Sequence, residues 1–180
     1  MANLDKIYQD MQKCSRCRIS HLSVNCKDIS KGYGKLIGKG PGDKFLLILQ
    51  NPSIRRFSNC ESPVDDNDKG IGLKFRNILE ELGLWKDCFV TNLVKCSTNK
   101  NYVPSSDEVD NCFEILQAEI SLLRPKKIIA FGRFTYEVLT QYYTKDYYGD
   151  VYYIPHPSYY FHYNPHKISE FKRKLKETLR

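Results

Sequence analysis

Three short, mainly apolar stretches limit what this chain can fold into: the continuous run "FLLILQ" at 45–50, then "CFVTNLV" at 88–94 and "KKIIAFG" at 126–132. Each is short for a core helix and lacks the alternation of a strand with one wet face, so each predicts a strand buried on both sides. Helical patterns separate them. "LKFRNILEELGL" (73–84) runs to Gly83, a residue suited to ending a helix. Ser105 and Glu108 form a capping-box pair that opens a helix to about Leu123, with Val109, Cys112, Phe113, Leu116, Ile120 and Leu123 as its apolar stripe. "RFTYEVLTQYY" reads as a helix after the third run, "VYYIPH" as a fourth strand, and 167–180 as a basic closing helix. A short helix over 3–13, with Leu4, Ile7, Tyr8 and Met11 at helical spacing, precedes them all. Strands alternating with helices predict an α/β fold, three layers (α/β/α) around a four-stranded parallel sheet. One domain over 1–180 is expected from the length.

In sheets of this kind ligands bind beyond the carboxyl ends of the strands. The residues expected there are Gln50-Asn51-Pro52-Ser53, Thr91-Asn92, Gly132-Arg133 and His156-Pro157-Ser158. His156, held between two prolines, belongs to "VYYIPHPSYYFHYNPHK", which carries three of the four histidines. A rigid turn with incidental aromatics also accounts for that stretch; its place at a strand end is what favours a site.

The net charge of +7 and pI near 9.0 favour an anionic partner, nucleic acid first. No apolar run approaches the ~20 residues of a membrane span. The start "MANLDKIYQDMQKC" has no apolar signal-peptide core, so an intracellular protein, cytoplasmic or nucleoid-associated, is expected.

Seven cysteines in such a protein argue for metal or reactive thiols rather than disulfides. Cys14 and Cys17 form a C-x-x-C, Cys96 follows the second strand, and Cys112 lies one turn into the next helix. A tight pair and two distant thiolates suit either an iron–sulfur cluster or a tetrahedral zinc. A chance pair and a core cysteine on an apolar stripe fit the same spacing. Cys26, Cys60 and Cys88 have no paired spacing and are expected to be unliganded.

"CSRC", "VTNLVKC", "NYVPSSDEVDNC", "LLRPKKIIAFG" and "HPSYYF" follow one another in an order that resembles the uracil-DNA glycosylase superfamily, most of all its iron–sulfur branch, family four. The resemblance runs from Cys14 to about Phe161. It implies that Cys14, Cys17, Cys96 and Cys112 ligate a structural [4Fe–4S] cluster. It further implies that Asn92 reads the Watson–Crick edge of a flipped base and that His156 faces the base's O2. The implied activity is removal of uracil, or of a related deaminated or modified base, from single- or double-stranded DNA. That is the first step of base excision repair, carried out by a monomer.

The sequence departs from the branch in three places. Where the family reads Gly-Glu-Ala-Pro-Gly, this chain has Leu49-Gln50-Asn51-Pro52-Ser53. Asn51 resembles the asparagine with which the mismatch-specific branch holds the attacking water. An amide has no usable pKa, so it would orient water rather than deprotonate it. Asn51-Pro52 also reads as a simple turn. The stacking phenylalanine of the family has no clear counterpart; Phe57 is the best candidate and Phe75 the second, with a plain core position also open to Phe75. The Asn-Arg-x-Pro segment has become Asn101-Tyr102-Val103-Pro104.

Gln50 and Ser158 are further candidates for substrate contact, and Asp65 or Asp66 for a carboxylate. Tyr159, Tyr160 and Phe161 are expected on an exposed loop, with Tyr160 the candidate wedge into a duplex; packing over the core is the other outcome open to them. The basic residues of the closing helix suit phosphate contacts or a solvated face. The altered first motif keeps a second function open, a catalytically weak or inactive nucleic-acid-binding member of the same fold. A zinc-stabilised α/β protein unrelated to DNA would fit the cysteines but not "TNLVKC" and "HPSY" together.

Overall fold

The computed structural model describes residues 4–17, 38–52, 70–97, 102–142 and 150–180. Along the chain come α1 (Leu4–Gln12), β1 (Phe45–Leu49), α2 (Ile71–Glu81), β2 (Cys88–Asn92), α3 (Ser106–Leu123), β3 (Lys127–Phe131), α4 (Arg133–Tyr142), β4 (Val151–Ile154) and α5 (Ile168–Thr178). A π-helical turn at Tyr159–Tyr163 and a 3-10 turn at Pro165–Lys167 join β4 to α5. All strand pairings are parallel, in the order β2-β1-β3-β4, as the alternation of strand and helix predicts.

The apolar runs are explained by two-sided burial. Every residue of β1 and β2 is buried, and so are the last four of β3. Leu46, Ile48, Ile128 and Ala130 meet α1, α3 and α4 on one face. Phe45, Leu47, Leu49, Ile129 and Phe131 meet α2 and α5 on the other. Each large apolar side chain contributes about 1.5–3 kcal/mol by leaving water, so the central strands are apolar wherever both faces are covered, with Lys127 at the half-buried start of β3. Polar chemistry is displaced to the strand ends.

Helix boundaries follow local signals. Ser105 Oγ accepts from the Glu108 amide at 3.4 Å, and Glu108 Oε2 accepts from the Ser105 amide at 2.9 Å, completing the capping box of α3. Gly83, at φ +68°, carries the chain out of α2. In α5 much of the positive charge is already paired: Lys172 with Glu81, Arg173 with Glu177 and Lys174 with Glu170. A solvated, internally paired face describes that helix better than a phosphate-binding one.

Two sequence expectations are corrected here. Tyr160 is not on an exposed loop but fully buried, 0% exposed, with its ring stacked on Phe171 at 4.6 Å and 25°. The π-helical turn rolls it under α5, where the ring joins Phe75, Phe131 and Phe171 in one aromatic layer. In that position it cannot enter a duplex. Phe75 belongs to the same layer, edge-on to Phe131 at 5.0 Å, and is core rather than a base-stacking residue. Phe57 lies outside the described residues. The surface of the same turn is formed instead by Tyr159 and Tyr163, the latter 74% exposed.

Tyr160 therefore makes a stability prediction. Its hydroxyl points toward Lys174 without reaching hydrogen-bond geometry, while its ring fills the core. Tyr160→Ala should cost about 3–5 kcal/mol, and Tyr160→Phe should be close to neutral. Urea denaturation of both variants checks this; equal, small losses would return Tyr160 to the surface.

Candidate active site

The four strand ends form a row at the carboxyl edge of the sheet. Asn92 closes β2 at one edge of the sheet, and His156 follows β4 at the other. With strands ~4.8 Å apart, those two edges stand roughly 14 Å from each other. Between them lie the ends of β1, followed by Gln50 and Asn51, and of β3, followed by Gly132. That span leaves room for a planar base with a hydrogen-bonding group on either side.

His156 is oriented by its own loop. The Ser158 amide donates to Nδ1 at 3.2 Å, and the Ser158 hydroxyl lies 2.8 Å from the same nitrogen. A nitrogen that accepts from a main-chain N–H carries no proton, so the neutral ring holds its proton on Nε2. The site thus presents a neutral N–H donor. The residue as a whole keeps some contact with solvent, but the ring is enclosed by enough protein that burial lowers its pKa from 6.5 to about 4. Gly132, at φ +93°, lies beside it: a Cβ there would meet the His156 Cβ at 3.5 Å. That contact is ordinary van der Waals packing, so it is the left-handed backbone that calls for glycine.

Asn92 is 1% exposed, and its Nδ2 has no hydrogen-bond partner among the described residues. A buried amide donor left unmade costs about 1–3 kcal/mol. Native structures keep few such groups, and an orphan at a ligand-binding edge marks a place for an acceptor on a ligand.

Behind it stands a buried polar cluster that the sequence reading did not single out. Lys95 Nζ donates to Thr91 Oγ1 at 2.7 Å, to the Asn92 carbonyl at 2.6 Å and to Glu119 Oε2 at 2.6 Å. The Thr91 hydroxyl lies 3.0 and 3.1 Å from the two Glu119 oxygens. The Tyr8 hydroxyl faces Glu119 from α1 without making a hydrogen bond, and burial beside that carboxylate pushes its pKa up. One signal was available: Glu119 falls on the apolar stripe of α3, three residues after Leu116.

The other candidates differ in what they show. Asn51 Nδ2 donates to the Pro52 carbonyl at 3.3 Å, the turn-like contact expected of Asn-Pro. Gln50 Nε2 donates to the Tyr102 carbonyl at 2.9 Å, so this amide ties the end of β1 to the segment leading into α3. Glu108, also near that segment, is occupied by the Tyr102 hydroxyl and the Ser105 amide. Ser53, Asp65, Asp66, Cys26 and Cys60 lie outside the described residues, and Cys88 is a buried core residue of β2.

Cys14 and Cys17 are half-buried after α1, while Cys96 and Cys112 are buried. Among the described residues no three metal-binding side chains stand grouped as a finished site. Two contacts relate the first cysteine pair to α3. Arg16, between the first two cysteines, pairs with Glu114, two residues from Cys112. Burial raises the Cys112 pKa, and the neighbouring Cys17 and Cys14 raise it further while Lys95 opposes them. Next to Cys96, Ser97 Oγ is buried with no partner among the described residues. The Cys14 and Cys17 thiols thus act on that of Cys112, and soft donors of this kind suit a thiophilic metal group.

A family model described as the uracil DNA glycosylase superfamily matches residues 36–180, and the chain belongs to that superfamily. A type-4 uracil-DNA glycosylase of Saccharolobus solfataricus is 33% identical over 139 residues, covering 74% of this chain and 57% of the relative. Another, from Sulfurisphaera tokodaii, is 29% identical over 138 residues, covering 74% and 56%. These relatives carry the type that the four-cysteine pattern resembles, and the chain spans a little over half of their length. The crystal structure of wild-type Pedobacter heparinus SMUG2 shares the fold, with a TM-score of 0.52, 14% identity and 76% of each chain covered. No helix among the described residues is long and apolar enough to cross a membrane.

The His156 pKa carries a signed prediction. A folded value of about 4 against 6.5 unfolded means that the neutral form is favoured by folding. This contribution is fully present above pH 6.5 and is lost as pH falls through 4, on the order of 3 kcal/mol. The ring C–H resonances of His156 should stay flat from pH 8 to about 5. Comparing the pH dependence of stability of the parent with that of His156→Gln isolates the effect; a ring titrating near 6.5 would place the imidazole in solvent.

Proposed function

We propose that this chain is a DNA glycosylase that accepts uracil, or a related deaminated or modified pyrimidine, flipped out of DNA, and hydrolyses its N-glycosidic bond to leave an abasic site. The observation that carries the reading is the orphaned, buried Asn92 amide across the carboxyl edge from a neutral His156 whose proton is on Nε2. The two side chains match the two faces of the problem: reading a base edge and stabilising the base as it leaves.

Asn92 Nδ2 donates to O4 of uracil and its carbonyl oxygen accepts from N3–H. Cytosine offers an amino group and a bare nitrogen there, so both contacts fail. As the C1′–N1 bond breaks, its electron pair stays on the base, and His156 Nε2–H donates to the O2 where that charge collects. A donor with a pKa of about 4 is neutral at pH 7 and supplies a preorganised dipole without protonating the base first. Water forms the new bond to C1′ and releases its proton to solvent or to the departing base. Asn51 orients that water. Ser158 acts through His156, and Gln50 holds the floor of the site in place through Tyr102. Tyr159 and Tyr163, beside Lys167, offer a duplex exposed rings and a cation.

Cys14, Cys17, Cys96 and Cys112 would hold a [4Fe–4S] cluster, whose contribution is structural: it clasps the segment after α1 to α3 and to the end of β2. The partner is DNA, single- or double-stranded, bound by a monomer within the cell.

An oligonucleotide panel carrying uracil, hypoxanthine, mismatched thymine and hydroxymethyluracil tests the activity. Uracil should be released, and His156→Ala should slow single-turnover release by about 10²–10³ with DNA affinity nearly unchanged. Tight binding with no base released from any substrate would make the chain a binding protein of this fold. Anaerobically prepared protein should be brown, and Cys112→Ser should bleach it and lower its melting temperature. Zinc without iron in metal analysis would overturn the cluster.

A further inference from the structure

The buried Lys95–Glu119–Thr91 cluster makes no contribution to the steps just described, and its geometry shows what it does instead. Lys95 is 1% exposed and Glu119 0%. An ammonium has three N–H donors, and all three are used internally, on Thr91 Oγ1, the Asn92 carbonyl and Glu119 Oε2. No donor is left for substrate, so Lys95 is not a substrate-binding group.

The three acceptors hold one short piece of chain. Thr91 and Asn92 end β2, and Lys95 folds back on them, so residues 91–95 wrap around the ammonium. On the other side, the Leu93 amide donates to the Leu49 carbonyl at 2.7 Å and the Val94 amide to the Gln50 carbonyl at 2.9 Å. The main chain at Asn92 is thereby fixed from two directions, and with it the direction of its Cα–Cβ bond. Stability gives no account of an ion pair at this depth. Replacing a buried pair by apolar side chains of similar volume is often neutral or favourable.

We propose that Lys95, Thr91 and Glu119 are positioning residues that aim the Asn92 amide at the base edge. The proposal rests on the glycosylase reading above. It extends that reading to the thiol clasp: Cys96 directly follows Lys95, and Cys112 lies two turns before Glu119 on the same helix. A disturbance at the clasp would therefore reach Asn92 through the same ion pair.

The test is the double variant Lys95→Met/Glu119→Leu, alongside Thr91→Val, Thr91→Ser and the parent. The double variant should melt at or near the parental temperature. It should lose about 10–10² in single-turnover uracil release, the scale of a misplaced reacting group, with DNA affinity kept. Its preference for uracil over cytosine should narrow, a change that a purely structural role would not produce. Thr91→Val should lose part of the rate, and Thr91→Ser, which keeps the hydroxyl, should recover it. A folded double variant with parental rate and base preference overturns the proposal. So does an equal loss in Thr91→Ser and Thr91→Val, and this pair decides the matter should the double variant fail to fold. A parent that releases no uracil removes the glycosylase reading itself, an outcome distinct from either.

Discussion

The structure depends on the central strands being buried from both sides. Helices cover both faces of the parallel sheet, so β1, and β3 after Lys127 at its start, carry only apolar side chains. The polar groups of the candidate site then gather at the carboxyl ends of the strands. The carboxyl edge collects Asn51, Asn92, Gly132 and His156 for that reason, although they are distant in sequence. The tasks divide by strand: β2 brings the amide, β4 the imidazole, and β1 the residue beside the gap between them.

Periodicity made the layers legible, because two-sided burial leaves a run of three to five consecutive apolar residues in β1, β2 and β3. The capping box of α3 and the glycine ending α2 were equally readable, being local in sequence. Tyr160 was not. Its burial depends on the π-helical turn and on Phe171, eleven residues later, and an aromatic-rich loop looks the same whether its rings face in or out. Phe75 was ambiguous for a related reason: an aromatic near a motif and an aromatic in a core have one signature. Lys95 and Glu119 were hidden by the general rule that charges face water. Their partners come from different elements, and only the fold shows that the two exclude solvent together.

Two basic groups at this end of the sheet have opposite fates. Among the described residues no acid faces His156, and desolvation alone acts on it, so the ring stays neutral. Lys95 is more deeply buried but meets a carboxylate at 2.6 Å and two further oxygens, which replace its hydration shell. The first arrangement yields a donor that responds to charge developing in a ligand. The second yields a fixed charge that is spent on the protein. On the proposed reading, burial with and without a counter-ion thus separates a group that would act on substrate from one that acts on the chain.

The amide at position 51 bears on where catalytic power must come from. An asparagine orients water but takes no proton, and its donor is already turned to the Pro52 carbonyl. Of the described carboxylates near this edge, Glu108 is engaged by Tyr102 and Ser105, and Glu119 by Lys95 and Thr91. Neither is positioned to activate a nucleophile. On the proposed glycosylase reading, the described groups of this edge therefore serve the leaving base rather than the attacking water. The contacts proposed for it are a neutral N–H donor at O2 and an amide at O4. Those are the two groups that the fold holds most firmly, one by Ser158 and one by the main chain around Lys95.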